Sequence, residues 1–172
     1  TYCQCIRRAY PDAVIAIGGL EASLRRFAHY DYWSDTVRPS ILVESGADFL
    51  MYGMGEHSIT EMAARLRDGE SISALTDIRG TCYLTDPVNT PWGAVQCPDF
   101  AQVASDKKAY AKATRQQYDQ QDEIYGKTVI QRHGKQMLVQ NPPALSLTQE
   151  ELDAVYQLPF QRKPHPMYDA QG

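Results

Sequence analysis

The residues whose types and spacing could support binding chemistry lie in two glycine turns. Gly18 and Gly19 end one apolar run, Gly53 and Gly55 end a second, and a stretch with helical periodicity follows each turn. Glycine lets the backbone turn sharply and approach a ligand, and the first N–H groups of a following helix can donate to a phosphate. The pattern could therefore bind a nucleotide-tailed or phosphorylated small molecule. Each turn alone is better explained by ordinary turn chemistry, so the hypothesis depends on the pair.

A dense aromatic and acidic segment follows the first turn. Aromatic rings on a loop either pack beneath it or line a pocket, because leaving them in water is unfavourable. We expect this segment and the two arginines before it to form a pocket wall, and we predict no catalytic residue. A histidine–aspartate pair within it is better explained as a structural hydrogen bond, since no nucleophile lies nearby. The candidate wall residues are Arg25, Arg26, His29, Tyr30, Asp31, Tyr32 and Trp33.

The four cysteines do not have the spacing of a metal site. Cys3 and Cys5 are too close together for a zinc knuckle, and Cys82 and Cys97 form no second CxxC-type pair. Their spacing also fits no bacterial-type iron–sulfur motif. We expect ordinary thiols in a reducing compartment and no metal ligand in this segment.

Charge and hydropathy argue against two classes of partner. A formal net charge of -4 and a pI near 5.5 do not indicate the basic surface that binds nucleic acid. No apolar run approaches the roughly twenty residues that span a bilayer, and the first residues lack the apolar core of a signal peptide. We expect no nucleic-acid partner, no membrane partner and a cytoplasmic location.

The elements that must position the glycine turns are two buried strands, each followed by a helix. The run 13–17 is apolar without alternation, which is typical of a strand covered on both faces at the centre of a parallel sheet. The run 47–52 repeats the strand–glycine–helix pattern, so a right-handed crossover should join two parallel strands. This predicts an α/β fold with a partial Rossmann-like (flavodoxin-like) parallel sheet and flanking helices. The glycines would then lie at the carboxyl edge, where such sheets bind ligands.

The second half of the chain differs in composition. We expect residues 79–85 to form an edge strand, and the prolines and glycine of 86–99 preclude regular structure over most of that stretch. We therefore predict an α/β unit over 1–86 and a connector over 87–172. The predicted connector elements are a long exposed helix over 101–124, a β-hairpin over 127–140, a short helix opened by the capping box 148–151, and an extended linker over 159–168.

Three long and unusual strings in the sequence resemble the YgiQ family of radical-SAM proteins. They are IGGLEASLRRFAHYDYWSD, ADFLMYGMGE and MLVQNPPALSLTQEELDAVYQLPFQRKPHPMY, and the match covers nearly the whole chain. The resemblance implies that the segment directly precedes the radical-SAM core. It also implies that 1–86 is the later part of an N-terminal domain similar to Rossmann-type cobalamin-binding domains, in which two glycine turns line the pocket of the nucleotide tail.

By this likeness the candidate cofactor-binding residues are Gly18, Gly19, Glu21, Gly53, Gly55 and Glu56. The sequence departs from the cobalamin pattern, because Met54 replaces an acidic residue of the second turn and no Asp-x-His-x-x-Gly stretch supplies a cobalt ligand. The radical-SAM signature CxxxCxxC is also absent, and in the family it would follow Tyr168. The resemblance therefore implies a 4Fe-4S cluster and S-adenosylmethionine in the parent protein, no cofactor in this segment, and the radical-SAM domain of the same chain as partner.

Three functional hypotheses follow from the sequence. The leading one is an accessory domain of a radical-SAM enzyme, inactive by itself, whose cleft between the glycine turns faces the substrate or the radical-SAM domain. The second is a pocket for a nucleotide-tailed or corrinoid small molecule. The third is a purely structural docking module, in which the glycines serve only as turns.

Overall fold

The structure is a computed structural model that describes residues 2–164 and 166–168. Its strands are β1 (Ala16–Ile17), β2 (His29–Asp31), β3 (Thr36–Arg38), β4 (Phe49–Met51), β5 (Thr81–Thr85), β6 (Val95–Gln96), β7 (Val129–His133) and β8 (Gln136–Gln140). Its helices are α1 (Tyr2–Ala9), α2 (Gly19–Leu24), α3 (Ile41–Ser45), α4 (Glu56–Arg67), α5 (Phe100–Ser105), α6 (Lys107–Tyr118) and α7 (Gln149–Tyr156).

Six strands form one sheet in the order β1-β4-β5-β8-β7-β6, and β2 pairs separately with β3. The predicted α/β class is confirmed, and β1 and β4 are the expected parallel pair, with Ala16 opposite Phe49. The sheet is otherwise mixed. β6 and β7 run parallel, whereas β5 is antiparallel to both of its neighbours and β8 is antiparallel to β7.

The expectation that 79–85 would form an edge strand is wrong. β5 lies inside the sheet between β4 and β8, because the hairpin from the second half of the chain pairs along its free side. The predicted boundary at residue 86 therefore does not coincide with an edge of the sheet. The division into 1–86 and 87–172 stays a prediction about domain organisation.

The sheet buries apolar side chains on both faces at β4, which explains the unbroken apolar run 47–52. The expectation that the run 13–17 would lie at the centre of the sheet is wrong, because β1 is an edge strand and Val14 and Ala16 are exposed. Successive residues of β4 point to opposite sides, so Leu50 joins one core cluster while Phe49 and Met51 join the other. All three side chains are buried. β4 therefore has no face for polar residues, and as a buried strand it gives the second glycine turn a rigid support.

Two elements differ from their prediction. The stretch 101–124 forms α5 and α6 instead of one long helix, because Asp106 leaves helical geometry (φ -131, ψ 116) and caps the second helix by accepting a hydrogen bond from the Lys108 N–H.

The aromatic segment is a tight hairpin, not a loop. Its turn is held by Asp31, which accepts hydrogen bonds from the backbone N–H and the hydroxyl of Ser34, and Asp35 there has a positive φ of 50.

Other local predictions are confirmed. β7 and β8 form the hairpin predicted over 127–140, with Gly134 at a φ of 61 in its turn. Thr148 and Glu151 make both hydrogen bonds of the predicted capping box at the start of α7. Residues 159–164 contain no helix or strand, and the last described residues form a short 3-10 turn, Pro166–Tyr168. Residues 1, 165 and 169–172, which include part of the predicted linker, lie outside the described residues.

Candidate functional site

The parallel pairing of β1 with β4 brings the two glycine turns to the same edge of the sheet. α2 begins directly after β1 with Gly18 as its N-cap, and α4 begins after β4 with Gly55 as its N-cap. The turns lie close together: a Cβ placed on Gly18 would be 3.5 Å from the Met51 carbonyl oxygen. Gly19 and Gly53 have φ values of 84 and 68, a region that favours glycine.

Ser23 joins the two turns. Its hydroxyl donates to the Gly19 carbonyl oxygen at 2.8 Å, and its Oγ accepts a hydrogen bond from the Gly53 N–H at 3.1 Å. A side chain of this chain thus occupies the space between the turns and uses a backbone donor that a phosphate would need. Ser23 was not among the sequence-predicted residues. The sequence did contain a signal for this contact, because Ser23 lies four residues after Gly19 and a serine within a helix can donate to the carbonyl oxygen one turn back.

The two acidic candidates lie in the first turns of the helices. Glu21 is exposed and forms an ion pair with Arg25 at 2.9 Å. Glu56 is the first residue of α4, and among the described residues its buried Oε2 has no hydrogen-bond partner. A helix N-terminus favours negative charge, so these carboxylates already supply the charge that an anionic ligand would bring.

A network behind the second turn fixes its geometry. The Arg26 guanidinium lies over the Tyr52 ring at 4.9 Å and donates through Nε to Gln140 Oε1 at 2.6 Å. The Tyr52 hydroxyl donates to the Asn141 carbonyl oxygen at 2.6 Å, and burial raises the pKa of this phenol above its usual range, so it stays protonated. Arg26 therefore links the segment after α2 to Tyr52, which follows β4, and to β8.

The other predicted wall residues do not converge on the glycine turns in one wall. His29 and Asp31 lie on the buried face of the β2–β3 hairpin, and hydrogen bonds from Ser34 hold the pKa of the Asp31 carboxyl below its usual range. Tyr32 and Trp33 form an edge-to-face pair at the hairpin tip and are 77% and 88% exposed. Tyr30 lines a different groove of about 690 Å³ between the hairpin and the α5–α6 junction.

Among the described residues, the cysteines are not grouped as the ligands of a cluster would be. Cys82 lies in β5 and Cys97 follows β6, both are buried in the core, and burial raises the pKa of each thiol to about 12. Cys3 and Cys5 lie on α1. Within 2–164 and 166–168 no group of three or more His, Cys, Asp or Glu side chains is arranged to hold a metal ion. These residues do not fit a 4Fe-4S cluster.

The fold and the glycine edge together define a partial Rossmann-like α/β unit. The family model described as "Radical SAM N-terminal" matches residues 1–172, which is the whole chain. The chain therefore belongs to the radical-SAM N-terminal family, and the resemblance noted in the sequence is confirmed.

Curated relatives agree with the family assignment. A UPF0313 protein of Methanocella arvoryzae is 53% identical over 167 residues, covering 97% of this chain and 28% of that protein. UPF0313 proteins of Clostridium botulinum (strain ATCC 19397 / Type A) and Clostridium perfringens (strain ATCC 13124) are each 49% identical, covering 99% of this chain and 26% of theirs. The chain thus spans about a quarter of the length of these relatives.

No solved structure matches the chain. No helix among the described residues is long and apolar enough to cross a membrane.

Proposed function

We propose that this chain is an accessory domain of a radical-SAM protein and that the edge around its glycine turns faces the radical-SAM domain or its substrate. The observation that carries the proposal is the family match over the whole chain, combined with cysteines that, among the described residues, are not grouped as cluster ligands. The family implies a 4Fe-4S cluster and S-adenosylmethionine in the parent protein, and we place both outside this chain. The isolated domain would then be inactive.

Absorbance spectra of two proteins test this assignment. The full-length protein and this chain are purified without oxygen and incubated with iron and sulfide under the same conditions. We expect a cluster band and S-adenosylmethionine cleavage from the full-length protein, and neither from this chain. A full-length protein that binds no iron, or a chain that binds a cluster by itself, would contradict the proposal.

A pocket for a nucleotide-tailed or corrinoid ligand is less well supported by the site. Ser23 already accepts a hydrogen bond from the Gly53 N–H, and Glu21 and Glu56 put negative charge in the first turns of α2 and α4. We therefore expect the full-length protein to retain no hydroxocobalamin after dialysis. Retention that is lost on Gly19→Val, a change that strains a backbone at a φ of 84, would favour the pocket instead.

A further inference from the structure

Four large apolar side chains around the second glycine turn are exposed. Leu20 and Leu24 of α2 are 78% and 68% exposed, and Met54 and Leu145 are 50% and 53% exposed. We call these four residues the apolar rim. Single exposed apolar residues are common on protein surfaces, so the inference depends on whether the four are contiguous.

Contacts between neighbouring elements connect the parts of the rim. Leu20 and Leu24 are four residues apart on α2, so they lie on one face of the helix. The Ser23–Gly53 hydrogen bond at 3.1 Å holds this helix against the turn that carries Met54. Met54 and Leu145 in turn line one hollow. α2, the second glycine turn and the segment after β8 are therefore neighbours, and each of them exposes apolar side chains of the rim.

The hollow within the rim has the size of a side-chain pocket. It has a volume of about 160 Å³, and its lining includes Tyr52, Gly53, Pro143 and Ala144. A cavity of roughly 150 Å³ in another protein accepts benzene, so this volume could hold one ring or branched aliphatic side chain. The Tyr52 hydrogen bond to the Asn141 carbonyl oxygen fixes one side of the hollow, which makes it preformed.

Two acidic groups near the rim have partners within this chain. The Glu123 carboxylate accepts hydrogen bonds from the backbone N–H and the hydroxyl of Ser146, both at 2.6 Å. Glu21 is paired with Arg25 at 2.9 Å. A partner surface would therefore need no basic residue to cover this region, and an apolar one would match it.

We propose that the apolar rim and its hollow are the docking surface for the radical-SAM domain of the same protein, with one apolar side chain of that domain seated in the hollow. This inference rests on the proposed function. The relatives extend well beyond the matched region, which is only 26–28% of their length. A large domain of the same chain is therefore available to cover the rim, and its covalent attachment gives it a high effective concentration.

Thiol accessibility in the full-length protein tests the surface. Single variants Leu24→Cys, Met54→Cys and Val88→Cys are treated with a thiol reagent under nitrogen, and modification is followed peptide by peptide with mass spectrometry. Val88 is the matched control, since it is 86% exposed and lies in the separate turn Pro87–Asn89. We expect the thiols introduced at the rim to react at least about tenfold more slowly than the control thiol, because the docked domain covers them.

Equal reaction rates at the rim and at the control would overturn the inference. Protection that weakens on dilution would overturn it as well, because it would assign the surface to a second copy. Amide hydrogen exchange of residues 53–56 in the unsubstituted full-length protein gives a second measurement that needs no variant, and slow exchange is expected there. Cluster content is measured on the same samples, so an uncovered rim with an intact cluster would reject this surface and leave the proposed function standing.

Discussion

At the scale of single residues, Ser23 carries the contact that defines the site. Replacing it by alanine removes the hydrogen bond to the Gly19 carbonyl oxygen and leaves the Gly53 N–H without its acceptor. We expect Ser23→Ala to lower the free energy of unfolding by about 1–2 kcal/mol, measured by urea denaturation of the full-length protein.

The matched control for this change is Ser105→Ala. The Ser105 hydroxyl also donates to the carbonyl four residues back, at 2.8 Å from Ala101, but within the described part of the chain it accepts no hydrogen bond from another element. We expect this control to cost a few tenths of a kcal/mol at most, since only the local bond is lost. Equal costs for the two variants would show that Ser23 does not join the turns.

A second residue-scale prediction concerns His133. This imidazole is buried beside Phe100 and donates from Nε2 to Gln131 Oε1, and burial lowers its pKa from 6.5 to about 4. The unfolded state therefore binds a proton near pH 6.5 while the folded state resists protonation until about pH 4. Stability from this group is complete above pH 6.5 and falls as the pH drops towards 4, by up to about 3 kcal/mol.

Urea midpoints between pH 7 and 4.5 check this dependence. The carboxyl groups with lowered pKa values, such as those of Glu70 and Asp122, contribute mainly below this window. We expect His133→Gln to flatten the slope, because the variant lacks the buried imidazole. An unchanged slope in the His133 variant would assign the pH dependence to another group.

At the scale of elements, the start of β5 is a closely packed junction. Gly80 has a φ of 71, and a Cβ there would lie 2.9 Å from Ser58 Oγ and 3.0 Å from Ala144 Cβ. Gly134 in the β7–β8 turn has a φ of 61 with nothing within 4 Å of the added atom. Gly134→Ala should therefore cost about 1–2 kcal/mol from backbone strain alone, and Gly80→Ala roughly 2 kcal/mol more.

Denaturation of both glycine variants measures this difference. A common cost would mean that Ser58 and Ala144 move aside without penalty, which would contradict the close packing of α4 and the segment after β8 on this junction. The comparison holds the backbone conformation constant, so it isolates the packing term.

Elements defined by local chemistry were predictable from the sequence. The Thr148–Glu151 capping box, the Gly134 hairpin and the two strand–glycine–helix units each follow from side chains a few residues apart. The helix break at Asp106 was missed, because the surrounding residues favour a helix and only the capping of Lys108 N–H by Asp106 interrupts it. An aspartate before a lysine pair was the local signal for this cap.

At the scale of the whole molecule, strand order was the feature that the sequence did not reveal. β5 pairs with β8 across more than fifty residues, and such a pairing depends on which apolar faces meet in the core. Only part of the site was predictable from the sequence. The glycine turns follow from parallel pairing of two similar units, whereas the Ser23 contact to Gly53 and the contacts of Arg26 with Tyr52 and Gln140 depend on tertiary packing.

The central claim is that the cluster of the parent protein takes none of its ligands from this chain. Its most direct test is the full-length protein carrying Cys3→Ser, Cys5→Ser, Cys82→Ala and Cys97→Ala, purified without oxygen and assayed for iron per chain and for S-adenosylmethionine cleavage. We expect both values to equal those of the unsubstituted protein, with a modest loss of stability from the two core substitutions. Loss of iron from a variant that keeps its native circular dichroism spectrum would contradict the claim.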